Sequence, residues 1–221
     1  MKTTINGLPS FGYLDVDLEP GEEILCEAGA MASMSADLDM TVSLNGSFFS
    51  ALMKKLFGDE SFFISSFKNN SDTTSRLTLT QDVPGEISEL ELENETICLQ
   101  PGAYIASNEG IKLGIQWAGF VSFIAREGLF RLTATGPGKI WFGAYGGILT
   151  REVSGEYIVD TGHLLAYPPE IKLHLRMAGG IFSSFFSGEG LVTKLRGNGK
   201  VYLQSRSLSG LAGWINPKLW G

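Results

Sequence analysis

Two histidines, two cysteines and a recurring set of acidic residues are the side chains of this chain with ordinary means to do chemistry. A protein-bound transition metal wants two or three histidines with a carboxylate in reach. His163 follows a turn glycine, Gly162, and His174 stands on the polar side of an alternating run, so a metal would have to make do with Asp160, His163 and distant carboxylates. No metal and no other cofactor is expected. Cys26 and Cys98 each sit in an apolar stretch and match each other as repeat equivalents. That suits two reduced, buried thiols acting as small hydrophobes better than one activated nucleophile. No Gly-x-Ser-x-Gly elbow is present. Glu22, Glu60, Glu127, Glu156 and Glu189 recur in corresponding glycine-flanked segments, which reads as turn chemistry, because a catalytic carboxylate should be singular. Gly136-Pro137-Gly138-Lys139 and Gly197-Asn198-Gly199-Lys200 lack the length and the following Ser or Thr of a phosphate loop and are expected to be hairpin turns. No catalytic residues are assigned.

The elements that would position such residues are strands. Ile171-Lys172-Leu173-His174-Leu175-Arg176-Met177 alternates apolar and polar side chains, as do residues 76–81, 89–93 and 200–206. Period-two alternation marks strands with one buried face. Pro-Gly and Gly-Asn-Gly signals punctuate them, and the 28 glycines are scattered between apolar runs. Helical periodicity is weak throughout. The expected fold is all-β.

The chain also resembles itself. Residues 22–33, around Gly29, recur as residues 95–106, around Gly102, and as residues 155–166, around Gly162. Each copy carries two apolar residues ahead of the glycine and one just after it, which reads as strand, glycine turn, strand. Units at about residues 14–87, 88–150 and 151–208 cannot each bury a sheet face alone and are expected to share one core. Residues 1–208 thus form a single β domain, with 209–221 as a C-terminal tail.

Composition narrows the partners. The net charge is −7, and the lysines and arginines are spread nearly singly, so no nucleic-acid surface is expected. Nothing in the first residues reads as a signal peptide, and no apolar run approaches the ~20 residues of a membrane-spanning helix. A cytoplasmic location is the expectation. Each unit contains an apolar connection. The first carries Phe48, Phe49, Leu52, Met53, Leu56 and Phe57 beside Lys54 and Lys55, and the third carries Phe182, Phe185 and Phe186. The second runs from Ile115 to Ile124. These are the candidate interaction surface, for a protein partner or for an anionic membrane, where apolar residues flanked by lysines are well suited. The tail, with Trp214 and Trp220, is a second candidate contact, on its own domain or on a neighbouring subunit. Trp117, Trp141 and Tyr145 are candidates to line a small-ligand pocket between repeats.

The run from Leu18 to Met34 resembles the signature of the altered-inheritance-of-mitochondria family, with its large uncharacterised bacterial branch. So do Gly58-Asp59-Glu60-Ser61-Phe62-Phe63, Val159 to Ala166, Gly188-Glu189-Gly190-Leu191 and Gly197-Asn198-Gly199. The resemblance extends from about Leu14 to Arg206. It implies a fold similar to the Trp RNA-binding attenuation protein, a β-sandwich in the double-stranded β-helix neighbourhood, and a homotrimer. It brings no catalytic residues with it, and fold similarity alone does not transfer RNA binding. The expected protein is a non-catalytic oligomeric scaffold, with docking at the inner face of a membrane as a further expectation. The alternative is a module that binds a small ligand between repeats or subunits.

Overall fold

The computed structural model describes residues 1–43, 64–100, 102–117, 130–177 and 191–219. Within them the protein is strand after strand, closed by one helix. After β1 (Lys2–Asn6), a first set comprises β2 (Tyr13–Leu18), β3 (Glu23–Glu27), β4 (Met31–Met34), β5 (Leu38–Ser43), β6 (Ile64–Asn69) and β7 (Ser75–Thr80). A second set comprises β8 (Ile87–Leu92), β9 (Thr96–Leu99), β10 (Tyr104–Asn108), β11 (Lys112–Trp117), β12 (Phe130–Thr135) and β13 (Gly138–Gly143). The third has β14 (Ile148–Asp160), a 3₁₀ turn at Thr161–His163, β15 (Leu164–Tyr167), β16 (Lys172–Met177) and β17 (Leu191–Gln204). Helix α1 (Leu208–Leu219) follows.

One antiparallel pairing scheme recurs in all three sets. The first strand pairs with the sixth, in β2–β7 and β8–β13, and the second with the fifth, in β3–β6 and β9–β12. The third pairs with the sixth, in β4–β7 and β10–β13, and the fourth with the fifth, in β5–β6 and β11–β12. In the third set the first two strands are fused into the long β14 and the last two into the long β17, which pair along their whole length. β15 and β16 pair with opposite halves of β17. Even the bulge in the third strand recurs, two to four residues past the glycine, between Met31 and Ser33, Tyr104 and Ala106, and Leu164 and Ala166. The turns ahead of it are closed by Ala30 N–H to Glu27 C=O (3.1 Å) and Ala103 N–H to Gln100 C=O (3.1 Å). Gly29 and Gly102 supply the positive φ, 95° and 76°, that a side chain disfavours.

Alternation decides which side chains reach the interior, since successive residues of a strand point to opposite faces. Leu14, Val16 and Leu18 of β2 face Ile24, Cys26, Phe67, Leu77 and Leu79 in one buried cluster. A second cluster gathers Leu99, Tyr104, Leu132, Ile140 and Phe142, and a third gathers Cys98, Val153, Tyr167, Leu195 and Val201. Each full burial of such an aliphatic side chain contributes about 1.5–3 kcal/mol against the chain entropy of ordering it.

Neighbouring sets are sewn together by further strand pairs. β10 of the second set pairs with β3 of the first, Ala106 opposite Cys26, Ser107 opposite Leu25 and Asn108 opposite Ile24. β15 of the third pairs with β9 of the second, Ala166 opposite Leu99 and Tyr167 opposite Cys98. The Tyr104 hydroxyl donates to the Leu25 carbonyl across the first seam at 3.1 Å and lies 2.9 Å from the Ser107 hydroxyl. Sheets of six and seven strands result, each spanning two sets.

Three expectations change. The Gly136-Pro137-Gly138 and Gly197-Asn198-Gly199 segments are not hairpin turns. The first carries the chain from β12 in one sheet to β13 in another, and the second lies inside the unbroken β17. Gly197 and Gly199 hold φ of 142° and 148°, which a side chain disfavours, and both stay in register with β14, Gly197 opposite Gly155 and Gly199 opposite Val153, so the chain continues where a hairpin would reverse it. Cys26 and Cys98 are not repeat equivalents either. Cys98 faces Tyr167 where Leu25 faces Ser107, a one-residue offset that turns the two thiols to opposite faces and into different clusters. Finally, α1 arises in a tail whose Gly210, Gly213 and Pro217 gave little sign of helix.

Asn69 ties the first crossover together. It is fully buried, its amide donates to the Leu18 and Thr73 carbonyls at 2.8 Å each, and its oxygen accepts from Ser71 N–H (3.0 Å) and Ser71 O–H (2.8 Å). Removing it orphans buried groups, so Asn69→Ala is expected to lower stability by about 1–3 kcal/mol in urea unfolding. A change within ~0.5 kcal/mol, the range of an ordinary surface substitution, would show that the network is not structural.

Candidate functional site

The residues singled out for chemistry are dispersed by the fold. His163 belongs to the 3₁₀ turn after β14, where its Nδ1–H donates to the Gln204 carbonyl at 2.7 Å, while His174 is exposed on β16 opposite Lys194. Asp160 accepts from Gly162 N–H at 3.3 Å and caps that turn. Among the described residues, no three His, Cys, Asp or Glu come together as metal ligands. Both cysteines are free and buried. Burial pushes the Cys26 thiol up to about 12, with the nearby Glu27 adding to it, and burial raises Cys98 as well. A thiol so shifted is protonated and a poor nucleophile near neutrality.

Two of the recurring glutamates have a visible structural partner set. Glu22 accepts from the Glu19 amide at 2.8 Å and pairs with the Met1 amine. Glu156 pairs with Lys194 and, at 2.5 Å, with Arg196, and those two cations hold its carboxyl down to about 2. Glu95, in the equivalent turn of the second set, accepts from the Glu93 and Asn94 amides at 2.7 and 3.1 Å. Glu60, Glu127 and Glu189 lie outside the described residues.

So does the whole candidate interaction surface: Phe48, Phe49, Leu52, Met53, Leu56, Phe57, Phe182, Phe185 and Phe186. The strands that bracket them are described. β5 and β6 end on the Ser43–Ile64 pair, β11 and β12 on Trp117–Phe130, and β16 and β17 on Met177–Leu191. The three apolar connections therefore join equivalent ends of equivalent strand pairs. Of the candidate pocket aromatics, Trp141 borders a groove of about 370 Å³ where the first set meets the second. Glu22, Glu23, Asn108, Glu109 and Lys139 also line it. The Trp141 indole N–H donates to Glu89 at 3.0 Å, and Lys139 pairs with the same carboxylate at 2.6 Å. Tyr145 is outside this groove, on the linker after β13, and the Trp117 side chain lies outside the description.

The feature that sequence reasoning missed is a pair of sheet edges. Third strands pair sideways with second strands of the preceding set, in β10–β3 and β15–β9. The remaining third strand, β4, and the remaining second strand, residues 156–160 of β14, have no such partner among the described residues. β4 carries Met31, Ala32, Ser33 and Met34, exposed along its length and free of charge and proline. Tyr157 and Ile158 of β14 are 38% and 60% exposed. Natural edges are usually blunted by charge, proline or cover, and an uncharged edge such as β4 is a template for another strand; the β14 edge carries charge only at its two ends, Glu156 and Asp160. The signal was present in the repeat itself: three third strands and three second strands can make only two internal pairs in an open row.

The chain as a whole is similar to known proteins. The sequence profile of the family described as mitochondrial biogenesis AIM24 matches residues 3–206. An uncharacterised protein of Streptococcus pyogenes serotype M6 is 28% identical over 228 residues, covering 99% of this chain and 91% of the relative. A crystal structure of a Streptococcus pyogenes protein superimposes with a TM-score of 0.79 at 27% identity, covering 98% of this chain and 99% of that one. Among the described residues no helix is long and apolar enough to cross a membrane.

Proposed function

This chain belongs to the mitochondrial biogenesis AIM24 family, and from that premise we propose that it is a non-catalytic scaffold that assembles with copies of itself edge to edge. The observation that carries this reading is the complementary pair of open edges. Setting β4 of one copy against residues 156–160 of β14 in the next repeats a contact the chain already makes twice. The internal register assigns the partners. Ser107 and Tyr167, each five residues past the repeat glycine, face Leu25 and Cys98, each four residues before it. Met34 then faces Ile158 of the neighbour, and Ser33 faces Val159. Pairing satisfies backbone donors and acceptors on both edges and covers Met31, Met34 and Ile158, which are 38%, 38% and 60% exposed in the single chain. Every copy offers one edge of each kind, so the contact is head-to-tail, which forms a ring when the rotation between copies closes and a filament when it does not; the proposed assembly is the closed ring. Three copies is the number implied by the family resemblance.

Native mass spectrometry of the untagged protein tests the reading. A closed oligomer of defined mass, three chains in the first instance, is the expected result, and a monomer at micromolar concentration overturns it. A stoichiometric small-molecule adduct would favour the ligand-binding alternative, with the groove beside Trp141 as the first place to look.

In such a ring the strand ends that bracket the three apolar connections recur around the assembly, and multivalency suits a protein that meets a partner or an anionic membrane. Flotation with vesicles containing anionic phospholipid is expected to carry the protein upward. Replacing Phe48, Phe49 and Leu52 with serine is expected to abolish it. Wild-type protein left at the bottom of the gradient removes the membrane version and leaves a protein partner.

A further inference from the structure

The linkers between sets stack on one another. The chain crosses from β7 to β8 through residues 81–86 and from β13 to β14 through residues 144–147. Gly12 N–H donates to the Gly85 carbonyl (2.8 Å), Glu86 N–H to Gly146 (2.8 Å) and Gly146 N–H to Pro84 (3.0 Å). Ser205 N–H donates to Gly147 (2.9 Å) and Arg206 N–H to Tyr145 (3.2 Å). The residues leading into β2 thus stack on the first linker, and those leaving β17 stack on the second.

When the open edges pair as the internal ones do, the end of β17 in one copy and the start of β2 in the next share the place that a single continuous linker fills at 81–86 and 144–147. The loop ahead of β2, Gly7-Leu8-Pro9-Ser10-Phe11-Gly12, has no charge, and its Leu8 and Phe11 are 49% and 72% exposed. Helix α1 starts immediately beyond Arg206. Among the described residues none of its side chains is fully buried, with Leu211 and Ile215 half-buried and Leu208, Trp214 and Leu219 well exposed, and it contains no acidic residue. Its principal contact is the Thr161–His163 turn, at the end of the open half of β14. A twelve-residue helix with Gly210, Gly213 and Pro217 is marginal in water unless an apolar face is packed.

We propose that α1 of each copy packs on the Leu8–Phe11 loop of the next copy, so that the C-terminal helix straps the seam between subunits. The inference rests on the edge-to-edge assembly above, and it names the second surface of that contact. The occupant of the loop is a second copy of this chain because the chain path delivers α1 to it; Leu8 and Phe11 on the loop and Leu208, Trp214 and Leu219 on the helix are apolar and exposed.

The test is a disulfide between chains in the full-length protein carrying Phe11→Cys and Leu208→Cys, treated with oxidised glutathione. Two thiols lose two electrons and two protons to the glutathione disulfide, which leaves as two reduced glutathiones. Covalent two- and three-chain species on a non-reducing gel, absent from wild type and lost on reduction, are expected. The native thiols are buried and do not contribute. The Phe11→Cys, Leu211→Cys pair probes the next position along the helix. In addition, Phe11→Glu is expected to weaken association about ten-fold or more, as loss of a buried aromatic anchor does. An oligomer of unchanged mass with neither pair cross-linking between chains would overturn the strap and leave the edge pairing standing. A monomeric wild-type protein would overturn both.

Discussion

Lysine at both Met34 and Ile158 is expected to reduce the assembly to single chains, read as a drop to the 23.9 kDa chain mass by light scattering. Within one chain the substitutions are mild, because Met34 and Ile158 are 38% and 60% exposed on strand edges. At the seam they are not mild. The internal register puts the two positions directly opposite, where Cβ atoms stand about 4.5–5.5 Å apart and like charges repel. The repulsion recurs at every seam of a ring, while the apolar cover of both edges is lost. Charge complementarity supplies the control: Met34→Lys with Ile158→Glu should restore the wild-type mass. Unchanged circular dichroism for all variants separates lost assembly from lost folding. A double-lysine protein that keeps the wild-type mass would mean that these edges do not meet in this register.

Stability is expected to fall as pH rises from about 4.5 to about 7 and to level off above that, and Glu27→Gln to remove most of that fall. Glu27 ends β3, opposite Ile64. Burial, reinforced by the charge of Asp82, raises its carboxyl to about 7 from the ordinary 4.5. Between those values the folded chain holds a proton that the unfolded chain has released, so stability is full below the unfolded value and is lost as pH rises through the folded one. The difference corresponds to about 3 kcal/mol. Glutamine keeps the shape and the hydrogen-bonding reach without the charge. The fold already carries Gln100 at the equivalent position of the second set, while Asp160 of the third is exposed and needs no such relief. Urea unfolding at pH 5, 7 and 8.5 should show wild type weakening mainly between pH 5 and 7, with little further loss to 8.5, and the variant nearly level throughout. Parallel profiles would assign the pH dependence to another group.

Much of the architecture was legible in local pattern. Alternation located β7, β8, β16 and β17 because a half-buried strand writes its two faces into successive residues. Ile171 is buried and Leu173 half-buried while Lys172 and His174 are exposed, as the alternation requires. The recurrence around Gly29, Gly102 and Gly162 pointed to a shared turn followed by a strand. What the same glycines did not reveal was whether the chain reverses or continues. Gly197 and Gly199 pass through β17 without a turn, and the β12–β13 connection changes sheet, because strand partners are chosen by long-range pairing and not by the linker. Helix α1 was invisible for a related reason: its formers are weak, and its position follows from where β17 ends.

The candidate interaction residues fall in the connections outside the described structure, so the chemistry of those segments rests on sequence alone. The open edges could be recognised only once the sheets were assembled. By itself, the sequence determined the all-β character and the self-similarity around three glycines, since these depend on side-chain periodicity and local backbone freedom. Tertiary structure decided which strands pair, that Cys26 and Cys98 face different clusters, and that β4 and the second half of β14 lie at sheet edges among the described strands. Hydrogen-bond partners of a strand lie far away in the chain, and only the folded backbone brings them, or fails to bring them, alongside.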